Sequence, residues 1–206
     1  AEFNRAAALA KYDRLIFCRE NVDILSEDFI RSALARLDRF DVLGASGTNR
    51  LCHSNWMLST APFLFGQKII RQGSHYILVV FNSAYRVFSG MEAIDESLFA
   101  IKREVWESIP FDETYSGKSL FGLDFTFSAR IAGYRLAVCA DWAALHHPIA
   151  SNEDSEGMRK FMLKNSPWFH DMPVENSNLA IIKVDSLETL NVLTNPERWR
   201  RQPDVR

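Results

Sequence analysis

Residues 111–147, FDETYSGKSLFGLDFTFSARIAGYRLAVCADWAALHH, hold the densest set of chemically able side chains in the sequence. Asp124 stands among aromatic residues where a helix opens, and a carboxylate kept among apolar neighbours is a candidate general base. His146 and His147 close a short apolar run, a place where an imidazole can ligate a metal. Far upstream, Asn21-Val22-Asp23 ends another apolar run and offers two oxygen donors to a hard cation such as Mn²⁺ or Mg²⁺. Asp95 is the second residue of the segment IDESLFAI, and Arg130 follows Asp124 on the same helix with a charge for phosphate or for an acid. Trp56 and Trp168 offer ring faces to a sugar.

Each of these residues also has an ordinary explanation. Asp124 can cap the helix 125–132. Asn21 and Asp23 can make a turn ahead of the helix near Ser26. The two histidines can be hydrogen-bonded residues at a strand end, with side chains pointing opposite ways on an extended backbone. Arg130 can form a structural ion pair, and the tryptophans can serve packing.

Hydrophobic periodicity supplies the elements that must position these groups. Residues 4–11 are Ala-rich and predict a helix with Asn4 as its cap. LIFC at 15–18 and the run 42–45 predict short buried parallel strands. Ile30, Ala33, Leu34 and Leu37 recur at helical spacing behind Ser26-Glu27-Asp28. Ser46-Gly47-Thr48-Asn49, Gly66, Gly73 and Asn82-Ser83 read as turns, and 76–81 as a strand of a hairpin-bearing insertion. A strand over 94–101 leads into a helix 103–108 that Pro110 stops. Then come helix 121–132, strand 136–139 and a surface helix 153–164 with Ser151 or Asn152 as its cap. The tail 196–206 is polar and basic. Alternating helices and strands predict an α/β domain with a mostly parallel sheet.

The chain has 206 residues, 47% hydrophobic and 24% charged, ordinary for a globular domain with its own core. A net charge of −2 gives no field for nucleic acid. No apolar run is long enough to cross a bilayer, which leaves room only for peripheral association with a membrane surface. Cys18, Cys52 and Cys139 are an odd number at wide spacings and read as reduced core residues of a cytoplasmic protein.

Five segments in order, Asn4-Arg5-Ala6, LIFCRENVDIL, DVLGASGTNRL, IDESLFAIKREVW and FDETYSGKSLFGLDFTFSARIAGYRLAV, resemble the motifs of bacterial, family 2-like inverting glycosyltransferases of the GT-A fold. The resemblance runs from Asn4 to about Trp168. It implies a three-layer α/β/α domain over 1–168 with a mainly parallel central sheet, lacking the first βαβ nucleotide-binding unit, and a C-terminal extension over 169–206. It implies transfer of a sugar, with inversion, from a nucleotide-sugar donor to a hydroxyl of a glycan or related acceptor. Asp124 would be the general base; Asp95, Arg130 and Trp56 would face donor or acceptor; Asn21, Asp23 and His146 would hold a divalent cation. All would share one cleft at strand ends. Two positions depart from the pattern: Asn21 stands where an Asp is usual, and Glu96-Ser97 where a Gly is usual. A non-catalytic remnant of the same fold, binding glycan or protein, is the alternative.

Overall fold

The computed structural model describes residues 2–82, 85–115, 120–148, 154–173 and 179–195. The chain runs α1 (Glu2–Leu9), β1 (Arg14–Cys18), β2 (Val22–Ile24), α2 (Phe29–Leu37), β3 (Val42–Gly44), β4 (Ser46–Thr48), a 3-10 turn (Trp56–Ser59), β5 (Leu64–Gln72), β6 (His75–Asn82), β7 (Val87–Ser89), β8 (Ala93–Ile94) and β9 (Leu98–Lys102). It continues through α3 (Arg103–Ser108), α4 (Phe121–Ile131), β10 (Leu136–Cys139), β11 (Ala144–His146), α5 (Ser155–Asn165), a second 3-10 turn (Ser166–Trp168), β12 (Ala180–Val184) and α6 (Leu187–Thr194).

One sheet has the order β1-β9-β3-β10-β7, and its residues alternate between two apolar clusters, as the period of two along a strand requires. On β9, Phe99 and Ile101 join Phe17, Val105, Phe111 and Phe125, beside α1, α3 and α4. Leu98 and Ala100 face the other way, onto Phe29, Ala33 and Leu37 of α2 and onto Trp142. Helices therefore cover both faces of this sheet, and its central strands read as continuous apolar runs for that reason. The second sheet has the order β12-β6-β5-β11-β2, with β4 against both β5 and β8.

The sheets are mixed, which corrects the expectation of a mainly parallel one. Among the described residues only β3 with β10 and β5 with β11 pair in parallel; the remaining pairs are antiparallel. β1 is an edge strand, with Leu15 and Phe17 buried and Ile16 and Cys18 exposed, and it runs antiparallel to β9. Ser46–Thr48, expected as a turn, is strand β4. Gly66 sits inside β5 at a bulge, while Gly73 does turn the β5–β6 hairpin. The expected strand over 94–101 is two strands in different sheets, joined by Asp95, Glu96 and Ser97.

Asn4 lies within α1 and does not cap it. Its side chain receives the Trp106 indole N–H at 2.9 Å and the Phe111 amide at 3.0 Å, and donates to the Phe111 carbonyl at 2.9 Å, so it ties α1 to the segment after α3. Cys52 and Cys139 are buried, but Cys18 is exposed; all three are free thiols. Helix α5 is capped by Asp154, whose side chain accepts from Gly157 N. Ser151, Asn152 and the tail 196–206 lie outside the described residues. Beyond residue 168, β12 forms the edge of the second sheet and α6 lays Leu190 on it. No helix among the described residues is long and apolar enough to cross a membrane.

Candidate functional site

The crossing from β8 to β9 puts Asp95 between the two sheets, where it is 6% exposed. Its Oδ1 accepts the backbone N–H of Ser97 at 2.9 Å and the Ser97 hydroxyl; its Oδ2 accepts Lys68 Nζ at 2.9 Å and the Trp56 indole N–H at 3.1 Å. Burial alone would push this carboxyl up, but Lys68 and the bonds from Ser97 outweigh it and hold Asp95 well below the usual range. Trp56 is itself buried and edge-on to Phe81, so its ring is not open to a sugar.

Glu96 accepts Arg19 Nη2 at 2.6 Å on one oxygen and the backbone N–H of Gly122 at 3.2 Å on the other. Burial raises its carboxyl to about 7, with Asp95 adding to the rise and Arg19 opposing it. Gly122 is what permits this contact: a Cβ there would lie 2.5 Å from Cβ of Glu96. His146 belongs to the same cluster. Burial takes it down to about 4 against the pull of Asp95, with Lys68 and Arg19 helping, so its imidazole is neutral at neutral pH.

Asp124 stands in the first turn of α4 and is 2% exposed. It is not the cap. The cap position is Leu120, which has a left-handed backbone (φ 73°) and makes no side-chain bond there. Asp124 instead collects donors from elsewhere: Tyr115 Oη at 3.1 Å and Asn165 Nδ2 at 3.1 Å on Oδ1, and Lys164 Nζ at 2.7 Å on Oδ2. Lys164 also reaches Asp112 at 3.2 Å, and the two acids raise it despite burial. Tyr115 and Asn165 are buried, whereas the Lys164 side chain is 39% exposed. Access to Asp124 therefore runs past Lys164.

The structure distributes the expected site residues over three places. Gly122 and Thr126 face the β8–β9 crossing, the latter taking Ile94 N–H at 3.2 Å. Asp124 is about 200° further round the helix than Gly122 and faces α5. Arg130 is exposed and does not join either group. Asp23 pairs with His147, Nε2 to Oδ2 at 2.6 Å, and not with His146. In the antiparallel register Val22 lies opposite His146, so strand alternation sends Asp23 and His146 to different faces. Asn21 turns its amide N–H₂ to the His147 carbonyl at 2.8 Å, and its Oδ1 is buried without a partner among the described residues.

Asn21, Asp23 and His146 consequently do not fit a divalent cation as a set. Asp23 is engaged by His147, and His146 points away. Among the described residues no group of three or more His, Cys, Asp or Glu side chains could hold a metal ion.

Arg19, Lys68, Tyr115, Lys164 and Asn165 complete these groups and were not singled out in the sequence, and Glu96 was noted there only as a departure from the pattern. Lys68 carried a signal: a lysine within the apolar strand LFGQKII needs a buried partner. Lys160 and Lys164, one helical turn apart, both reach Asp112, a pattern legible once α5 is assigned. No protein-family model matches the chain, and no curated protein is found to resemble it.

Proposed function

We propose that the chain transfers a sugar, with inversion, from a nucleotide-sugar donor to a hydroxyl of a glycan or related acceptor, with Asp124 as the base. The observation that supports this most is the state of Asp124. It is a nearly fully buried carboxylate at the start of a helix, fixed from three sides by side chains of other elements, with a single half-exposed partner. A base needs a fixed orientation and a route for the proton donor. Tyr115 and Asn165 supply the first. An acceptor hydroxyl that displaces the Lys164 ammonium, which keeps Asp112 as its partner, would take the second.

In such a transfer the acceptor oxygen attacks the anomeric carbon as the bond to the nucleoside diphosphate breaks, and the hydroxyl proton passes to Asp124. No step is routed through a metal, because Asn21, Asp23 and His146 do not converge.

A second reading, a non-catalytic module that binds glycan or protein, is favoured by the saturation of Asp95. Both its oxygens already carry two donors, as in a structural ion network. The test is release of nucleoside diphosphate from a panel of nucleotide sugars, with and without glycan acceptors. Acceptor-dependent release that falls in Asp124→Asn supports the transferase. Absence of both release and nucleotide binding by calorimetry rejects it and leaves the binding module.

A further inference from the structure

Away from these groups, one flank of α2 forms a wall of a cavity of about 360 Å³, within the range of ligand pockets. The opposite wall comes from the start of β7 and the turn after β10. The helix buries Phe29, Ala33 and Leu37; Ser32 and Arg36 follow one another at i, i+4 on the flank beside Phe29, with Arg31 next to them and Arg39 just past the helix end. Arg86 approaches from β7. Four guanidiniums thus meet at the cavity, against the carboxylates of Asp28 and Asp141. This is an unusual concentration in a chain whose net charge is −2.

Among the described residues the pairing leaves the charge of Arg39 over. Asp141 is taken by two arginines: Arg36 grips it with both terminal nitrogens at 2.7 Å, and Arg86 Nε stands 3.3 Å from the same carboxylate. Among the described residues Asp28 is matched by Arg31 alone, in a pair 2.5 Å long at the surface. Arg39 has no acidic partner among the described residues. The Ser32 hydroxyl accepts the Trp142 indole N–H at 3.0 Å, which leaves its own proton for donation.

We infer that this cavity is a binding site for a phosphate monoester or diphosphate, held by Arg31, Arg39 and the Ser32 hydroxyl over a frame that Asp141 fixes. Forked guanidiniums around a concave site suit an oxyanion with several acceptor oxygens. Asp141 fixes Arg36 and Arg86 on the cavity wall before the ligand arrives. None of these residues belongs to the groups around Asp95 or Asp124, so the inference does not rest on the proposed transfer.

The same chemistry could be a soluble phosphate compound or a lipid headgroup, and the experiment separates them. Inorganic pyrophosphate is titrated calorimetrically into the wild type, into Arg31→Glu/Arg39→Glu, and into the control Lys11→Glu/Lys183→Glu, which makes the same charge change at exposed sites elsewhere. Co-sedimentation is run with phosphatidylcholine vesicles containing phosphatidic acid or phosphatidylserine. Arg31 and Arg39 are both exposed, so the melting temperature should hold and binding loss will not reflect unfolding. The expected result is saturable binding of pyrophosphate or of phosphatidic acid vesicles, weakened about tenfold or more in the arginine variant and little in the lysine control. Binding of pyrophosphate alone marks a soluble ligand; preference for phosphatidic acid over phosphatidylserine marks a headgroup. The inference is overturned if nothing binds more tightly than about 1 mM. Equal loss in the two variants, or vesicle binding as the sole interaction with no preference for phosphatidic acid, overturns it as well.

Discussion

Replacing Asp124 with Asn separates its chemistry from its packing. The amide oxygen can keep the two bonds to Oδ1, from Tyr115 and Asn165, each 3.1 Å long. The amide N–H₂ then faces Lys164, whose ammonium sits 2.7 Å from Oδ2, donor against donor. One charge-assisted bond is lost, worth about 1.5–3 kcal/mol. The cost should lie toward the low end, because Lys164 is half-exposed and already shares Asp112. For a domain of this size the melting temperature should fall by about 3–8 °C. Turnover should fall further, by about 10²–10⁴-fold, since an amide cannot take the acceptor proton. Nucleotide affinity should stay near that of the wild type. Thermal unfolding, nucleoside diphosphate release and calorimetry with the nucleotide read the three quantities separately. Unchanged turnover in a folded variant would refute Asp124 as base. The proton acceptor would then be sought at Glu96, whose carboxyl already titrates near neutrality.

Glu96 and His146 give opposite pH signatures. The folded protein raises Glu96 from 4.5 to about 7, so it binds more protons than the unfolded chain there, and stability falls as pH rises through that window. It lowers His146 from 6.5 to about 4, so stability rises with pH between those values. In the wild type the two should largely cancel from about pH 4.5 to 6.5; Glu96→Gln should expose the rise and His146→Gln the fall, each by about 1–3 kcal/mol in urea titrations across pH. Parallel pH profiles for the two variants would contradict the assignment. Gly122→Ala drives a Cβ into Glu96 and should destabilise by about 1–3 kcal/mol in the same assay, and a neutral outcome would mean that α4 does not press on the β8–β9 crossing as described. Mn²⁺ alone should leave the melting temperature unmoved, because Asp23 is held by His147 while His146 faces elsewhere; a clear rise without nucleotide would overturn that reading.

Elements governed by local rules were legible. Helix α3 and strand β10 fall on their expected residues, because Pro110 and Gly133 punctuate clear periods; Gly133 has φ 93°, the left-handed stop that a helix end requires. Strand direction was not legible. β9, buried on both faces, reads apolar throughout whether its neighbour runs parallel or antiparallel, and β1 is apolar over 15–18 although its Ile16 and Cys18 are exposed, so neither carried a directional signal. The break had a signal in the polar triplet Asp95-Glu96-Ser97 inside IDESLFAI, which the expectation of one strand over 94–101 passed over. Of the candidate site, Asp95 and Asp124 were visible as acids among apolar residues, and both are buried and fully bonded. Which partner each acid takes was not visible, because Lys68 stands 27 residues from Asp95 and Lys164 40 residues from Asp124, while Tyr115 is near in sequence but in the loop before α4. The pairing of His147, and not His146, with Asp23 depended on the register of β2 against β11, which no local pattern records.

The passage of the chain from β8 to β9 has a consequence for how the molecule opens. Asp95 N–H reaches the Ser46 carbonyl of one sheet at 2.8 Å, the Ser97 carbonyl receives the amide of Arg19 at 2.9 Å beside the other, and Lys68 and Trp56 clamp the carboxylate between them. Three residues thus rivet the two sheets. Neither sheet can come apart without leaving a buried carboxylate unpaired, so amide exchange in β5 and in β9 should proceed through one shared opening with similar protection. Removing the rivet by Asp95→Ala should split that single event into two, with the five-stranded sheet, covered on both faces, the slower to exchange.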